Sequence, residues 1–185
     1  MPTNKIMVIR HAEKPVHRGP KGVDANGEPD AESLTPQGWQ RAGALVRFFA
    51  PRDHDPSPPL GRPKHLFAAK ANLKRDAHSK RPYQTIAPLA AHLKPAAGID
   101  DSLRKDELKA LITKVTSVDG TALVAWEHEN IPPMARLLVP ETAAVPDWPE
   151  DRFDMVWVFD RVDSRWHLTQ VPQLLLAGDR AELFS

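Results

Sequence analysis

Residues 5–14 read "KIMVIRHAEK". Ile6, Met7, Val8 and Ile9 form an apolar run of strand length, too short for a buried helix. Arg10, His11, Glu13 and Lys14 follow with only Ala12 between them. Unpaired charge is costly to bury, so a charged cluster closing a core strand must meet water or a ligand. The surrounding sequence decides between the two.

Residues 15–34 lack a hydrophobic period and are rich in Gly, Pro and Asp, which predicts a loop. A helix is predicted next, over "LTPQGWQRAGALVRFFA". Thr35 is placed to cap it, and Pro36 suits the first helical position. Trp39, Ala42, Val46 and Phe49 fall on one face of that helix. Five prolines within residues 51–63 end it. "KHLFAA" (64–69) reads as a second strand. From Ser79 a helix is predicted with Ile86, Leu89, Ala90 and Leu93 inward and a kink at Pro88. A further helix is expected over 103–116, a third buried strand over "TALVAWE" (121–127), and a short helix over "NIPPMARLL". Two late strands, "FDMVWVFDRV" and "RWHLTQVPQLLL", should pair as a hairpin through Asp163 and Ser164.

Strands alternating with helices point to an α/β fold. The expectation is one domain over 1–185, a three-layer α/β/α sandwich on a mostly parallel central sheet. In such sheets ligands bind beyond the carboxyl ends of the strands. The first strand ends in Arg10 and His11, and the third in Glu127, His128 and Glu129. The charges therefore stand where this architecture receives its ligand.

Composition narrows the partners. The chain has 185 residues, 41% of them hydrophobic, and a formal net charge of +1, which gives no global case for nucleic-acid or membrane-surface binding. It has no cysteine, which excludes disulfides, a thiolate nucleophile and Cys-based zinc sites. No signal-peptide pattern or membrane span is visible, so a cytoplasmic protein is expected. Charge is uneven locally. Residues 62–81 carry seven Lys or Arg against one Asp, whereas residues 141–154 carry five acids against one Arg.

Arg10, His11, Arg81 and His128 form the candidate chemical group. Arg81 opens a helix, whose N-terminus also favours anions. Arg presents paired donors that match phosphate oxygens, and a neutral imidazole is a competent nucleophile toward phosphorus. A metal site from His11, Glu13, His17 and His128 is possible by ligand type, but nothing in the spacing selects it. Trp126 lies close enough in sequence to His128 to wall a pocket.

"VIRHAEK" resembles the RHG or RHA signature of the histidine phosphatase superfamily, the phosphoglycerate-mutase-like proteins. "LTPQGWQRA" is similar to the family's "LTxxGxxQA" segment and "SKRPYQTIAPLA" to its "SxxxRAxQTA" segment. "LVAWEHENIP" resembles the strand that ends in the second histidine. These four segments stand in the family's order, from residue 6 to about 132. The resemblance implies that His11 becomes phosphorylated, that Arg10 and Arg81 hold the phosphoryl oxygens, and that His128 completes the pocket, with no metal or other cofactor. Lys14, Glu13, Ser79 and Trp126 are expected at the substrate.

The sequence also departs from the family pattern. "KANLKRDAHS" intervenes before the second arginine, adding Lys70, Lys74, Arg75 and His78, either a second anion site or an exposed basic loop. In the "LRE" slot used by mutases, "SLRKDEL" places Lys105, followed by Asp106 and Glu107. Glu129, Asp106, Glu107 and Glu13 are thus the candidate proton donors. The expected activity is a phosphatase on a phosphomonoester or phosphohistidine, acting on a small phosphorylated substrate or a phosphoprotein. A non-catalytic phosphoanion-binding module and a mutase are the alternatives.

Overall fold

The computed structural model describes residues 4–71, 79–95 and 98–185. Lys74, Arg75 and His78 lie outside the described residues. The strands are β1 (Lys5–Arg10), β2 (His65–Ala68), β3 (Ile99–Asp100), β4 (Thr121–Trp126), β5 (Met155–Val162) and β6 (Arg165–Pro172). The helices are α1 (Pro36–Phe49), α2 (Arg81–Leu93), α3 (Leu108–Ser117) and α4 (Ile131–Leu138), with one 3-10 turn, His128–Asn130, ahead of α4.

The strands form one sheet in the order β3-β2-β4-β1-β5-β6. The first four run parallel, and β5 and β6 add an antiparallel ribbon. β1 is buried on both faces, as its continuous apolar run requires. Ile6 and Val8 pack with Leu111, Val115, Ile131 and Met134 of α3 and α4. Met7 and Ile9 pack with Leu45, Phe49, Ile86 and Leu89 of α1 and α2 on the other face. β1 therefore hands the chain to one face of the sheet, while its parallel neighbour β4 hands it to the other. Connections leaving adjacent strands toward opposite faces open a crevice between their carboxyl ends. His11 and His128 flank that crevice in sequence.

Local chemistry explains most element boundaries. Thr35 caps α1, its hydroxyl accepting from the Gly38 amide at 3.2 Å, and Pro36 fills the first turn. The late hairpin turns on Asp163 and Ser164, with φ of 47° and 68°. Two successive positive φ values make the turn that follows the right-handed twist of β5 and β6. α3 starts at Leu108 rather than 103, because the Arg104 amide donates to the Glu107 carboxylate at 2.8 Å and holds a local turn. α2 begins at Arg81 and continues through Pro88 as one helix.

The apolar stripe of α1 is also interrupted. Its buried residues are Gly38, Arg41, Ala42, Leu45 and Phe49, so a charged residue lies within the packed face. No helix among the described residues is long and apolar enough to cross a membrane.

Candidate active site

β1 and β4 pair in parallel with Arg10 opposite Trp126, and the His11 amide donates to the Trp126 carbonyl at 2.9 Å. This bond extends the pairing one residue beyond β1, and it places the start of the His128 turn beside the His11 backbone. α2 is tied to the same point. The Ala12 amide donates to the Thr85 hydroxyl at 2.8 Å, and that hydroxyl donates to the Arg81 carbonyl at 2.7 Å. The first turn of α2 is thereby keyed to the residue after His11.

α1 approaches from a third direction. Gly38 lies so close to the Glu13 backbone that a Cβ there would meet the Glu13 carbonyl oxygen at 2.7 Å. The Thr35 amide donates to that same carbonyl at 3.0 Å. The glycine of "LTPQGWQRA" is needed here for close approach, not for an unusual φ.

The His11 ring is almost completely buried, at 4% exposure. Its Nδ1 lies 2.7 Å from the Ala12 carbonyl. A carbonyl only accepts, so Nδ1 carries the proton and Nε2 keeps the lone pair. Burial, and the charges of Arg10, Arg81 and Lys14, push the His11 pKa down to about 3, so the ring is neutral at physiological pH. Arg10, Arg81 and Lys14 thus stand near enough to act on the ring electrostatically.

Arg10 is 1% exposed. Its Nη1 donates to the Glu150 carbonyl and, at 3.1 Å, to the Arg152 carbonyl. The guanidinium carbon stands 3.9 Å over the centre of the Phe153 ring, a cation–π arrangement. Its Nε and Nη2 are buried and have no hydrogen-bond partner among the described residues. Trp157 Nε1, in the core, is the other buried side-chain polar atom in that condition. Burial lowers the Arg10 pKa to about 10, against the raising influence of Glu150, Asp151, Glu13 and Glu129. The group stays charged at neutral pH, with two donors held out of water and unspent.

Arg81 is brought to the site, but its fork is engaged. Nε donates to the Ser33 carbonyl at 3.3 Å, Nη1 to the Ser79 hydroxyl at 3.2 Å, and Nη2 to the Ala31 carbonyl at 2.6 Å. Ser79 is thus a partner of Arg81. His128 is half-buried in its 3-10 turn, and its pKa is lowered by burial and then by the charge of Arg10. Lys14 makes an ion pair with Glu150 at 3.6 Å.

The candidate acids separate clearly. Glu13 is bound to Arg41, with Oε1 2.8 Å from Nη2 and 3.0 Å from Nε. Asp106 and Glu107 are engaged with Arg104. Glu129 is exposed and has no hydrogen bond or ion pair among the described residues. Its charge acts on Arg10, His128 and Lys105. Lys105, in the altered acid slot, pairs with Glu127 at 2.9 Å.

One expectation is corrected. Trp126 does not wall the pocket: it is 0% exposed and belongs to the core beneath α3 and α4, where its indole N–H donates to the Lys105 carbonyl at 3.0 Å. Strand alternation puts Ala122, Val124 and Trp126 on one face, and that face is covered by helices.

Two groups near the site were not anticipated from sequence. Arg41 joins Glu13 to Asp179, with Nη2 2.6 Å from Asp179 Oδ1, and to Gln173 at 2.9 Å. Arg152 binds Asp154 at 2.6 Å with both side chains buried. The available signal was weak: a charged residue at a core-facing helical position, and a lone Arg within an acidic run.

No protein-family model and no curated protein matches the sequence. Solved structures do match in fold. SixA from Agrobacterium tumefaciens, assigned as a phosphohistidine phosphatase, is 20% identical over 91% of this chain and 96% of its own, with a TM-score of 0.50. The protein histidine phosphatase SixA complexed with tungstate is 9% identical over 91% of this chain and 97% of its own, with a TM-score of 0.58. A chain assigned as an α-ribazole-5′-P phosphatase from Escherichia coli K-12 is 10% identical over 91% and 96%, with a TM-score of 0.55. The fold of this chain is that of the phosphoglycerate-mutase-like histidine phosphatases.

Proposed function

We propose that the chain is a histidine phosphatase that hydrolyses a phosphomonoester or a phosphohistidine through a phosphorylated His11. The observation that carries this reading is the pairing of a neutral, Nδ1-anchored imidazole with the two unpartnered buried donors of Arg10. A tetrahedral oxyanion supplies what those donors lack, and a neutral Nε2 supplies the electron pair for attack.

In the first step His11 Nε2 bonds to phosphorus and the bond from phosphorus to the leaving group breaks. Glu129 gives its proton to the departing oxygen or nitrogen. The ring becomes a phosphorylated imidazolium whose Nδ1–H is held by the Ala12 carbonyl. Arg10 Nε and Nη2 bind two phosphoryl oxygens, Arg81 adds its charge, and the His128 ring completes the pocket. In the second step Glu129 takes a proton from water, the water oxygen bonds to phosphorus and the P–N bond breaks. Orthophosphate leaves and His11 returns to its neutral form. Lys14, paired with Glu150, is assigned to the substrate, and Glu13 contributes through its backbone contact with α1.

A second reading is favoured by two observations. The Arg81 fork is spent on the loop at 31–33, and the mutase acid slot holds a lysine paired to Glu127. A binding module that holds phosphate without turnover would tolerate both. Release of phosphate from a chromogenic aryl phosphate separates the two. The phosphatase releases it, and His11→Ala removes at least about 10³-fold of kcat/KM. Orthovanadate binding with no turnover on any monoester or phosphoramidate would establish the binding module instead.

A further inference from the structure

The Arg10 guanidinium is oriented by a segment that none of the four motif-like stretches contains. Its acceptors are the carbonyls of Glu150 and Arg152, and its aromatic support is Phe153. That segment is itself held by the end of the chain. The Arg152 side chain binds Asp154 at 2.6 Å and donates to the carbonyls of Glu182 and Arg180, each at 3.0 Å. The Arg180 amide donates back to Asp154 at 2.6 Å. Phe184 packs edge-on against Trp148 at 5.1 Å between ring centres, and Trp148 donates its indole N–H to the Arg152 carbonyl at 3.0 Å. The Gln170 amide clamps the Phe184 backbone in both directions, at 2.9 Å each way.

We propose that Arg152 is a positioning residue for Arg10, and that residues 180–184 act through it to hold the oxyanion donors of Arg10 in place. This rests on the phosphoryl-pocket reading above. The physical reason is the shared carbonyl. The Arg152 carbonyl accepts from both Arg10 Nη1 and Trp148 Nε1, so any shift of that peptide moves the cradle of Arg10. Among the described residues the guanidinium has no carboxylate partner of its own to hold it: its nearby acids act through space only. A planar fork aimed by one nitrogen loses its alignment when that nitrogen's acceptors move, and misplacement by about 1 Å is enough to cost catalysis heavily.

The test is a double-mutant cycle on the full chain, read as orthovanadate affinity and as kcat/KM on an aryl phosphate. Arg152→Met is expected to weaken vanadate binding about tenfold in the wild-type background and less than about twofold in the Arg10→Met background. Phe184→Leu should do the same on a smaller scale, about threefold and none. Arg152→Lys, which retains charge and one of the three contacts, should recover part of the affinity, and it serves for the cycle if Arg152→Met does not fold. A merely structural role would lower the melting temperature in both backgrounds and leave the vanadate affinity of the folded protein unmoved. Losses that add in the two backgrounds, or unchanged vanadate affinity, overturn the proposal. A wild-type chain that binds no vanadate overturns the phosphatase reading together with it.

Discussion

Arg10 and Arg41 are equally buried, at 1% and 2% exposure, and equally enclosed by protein. Their surroundings could hardly differ more. Arg41 lies between two carboxylates, Glu13 and Asp179, and its pKa is raised by its bonds to Asp179 and Glu13 despite the opposing effect of burial. Arg10 lies among neutral carbonyls and one aromatic face, and its pKa falls to about 10 because burial outweighs the acids that act on it through space. A buried cation with its counter-charge supplied is part of the framework. A buried cation with donors left over is equipped for an anion that arrives from outside.

The same substitution made at each arginine should act on different properties. Arg41→Met leaves Glu13 and Asp179 buried without their partner, and it should cost about 3–5 kcal/mol of unfolding free energy. Urea denaturation measures it; a loss below about 1 kcal/mol would mean that the network is not structural. Arg10→Met removes a cation without stranding a carboxylate and keeps its stem against Phe153. Its stability should change by no more than about 1 kcal/mol, while kcat/KM on an aryl phosphate falls about 10²–10³-fold. Equal effects of the two substitutions on both measurements would erase the distinction.

A smaller effect comes from the ring next to Arg10. The folded pKa of His11, about 3, lies below its ordinary value of 6.5. Above 6.5 both folded and unfolded states are neutral there. As the pH falls from 6.5 toward 3 the unfolded chain takes a proton that the folded chain refuses, so stability is lost on acidification. The slope reaches about 1.4 kcal/mol per pH unit. His11→Gln should flatten that slope between about pH 6.5 and 5.5 in phosphate-free buffer, above the range in which ordinary carboxylates titrate. Urea midpoints for the two proteins that fall in parallel would show that His11 is not held neutral.

Where a residue's neighbours in sequence are also its neighbours in space, the sequence was readable. β1 and β4 announced themselves as apolar runs ending in charge, α1 by Thr35 and Pro36, and the hairpin by Asp163 and Ser164. The α/β fold followed from their alternation. β3 was invisible because two residues, Ile99 and Asp100, carry no period. Arg41 was unreadable for a different reason: amphipathic patterning counts every cation as solvent-facing, and its partner Asp179 lies 138 positions away. Trp126 was placed by proximity to His128, but alternation along the strand turned it to the helix-covered face. The cradle of Arg10 was hidden because backbone carbonyls act in it, and those have no side-chain identity to read.

The Thr85 hydroxyl accepts from Ala12 and donates to Arg81, so its single proton has a fixed direction. Mechanically it is a pin joint between the segment after β1 and the first turn of α2. Thermal displacement of that turn drags the backbone beside the imidazole along with it. Two hydrogen bonds through one hydroxyl thus couple the two elements, so a shift of either is resisted at the other.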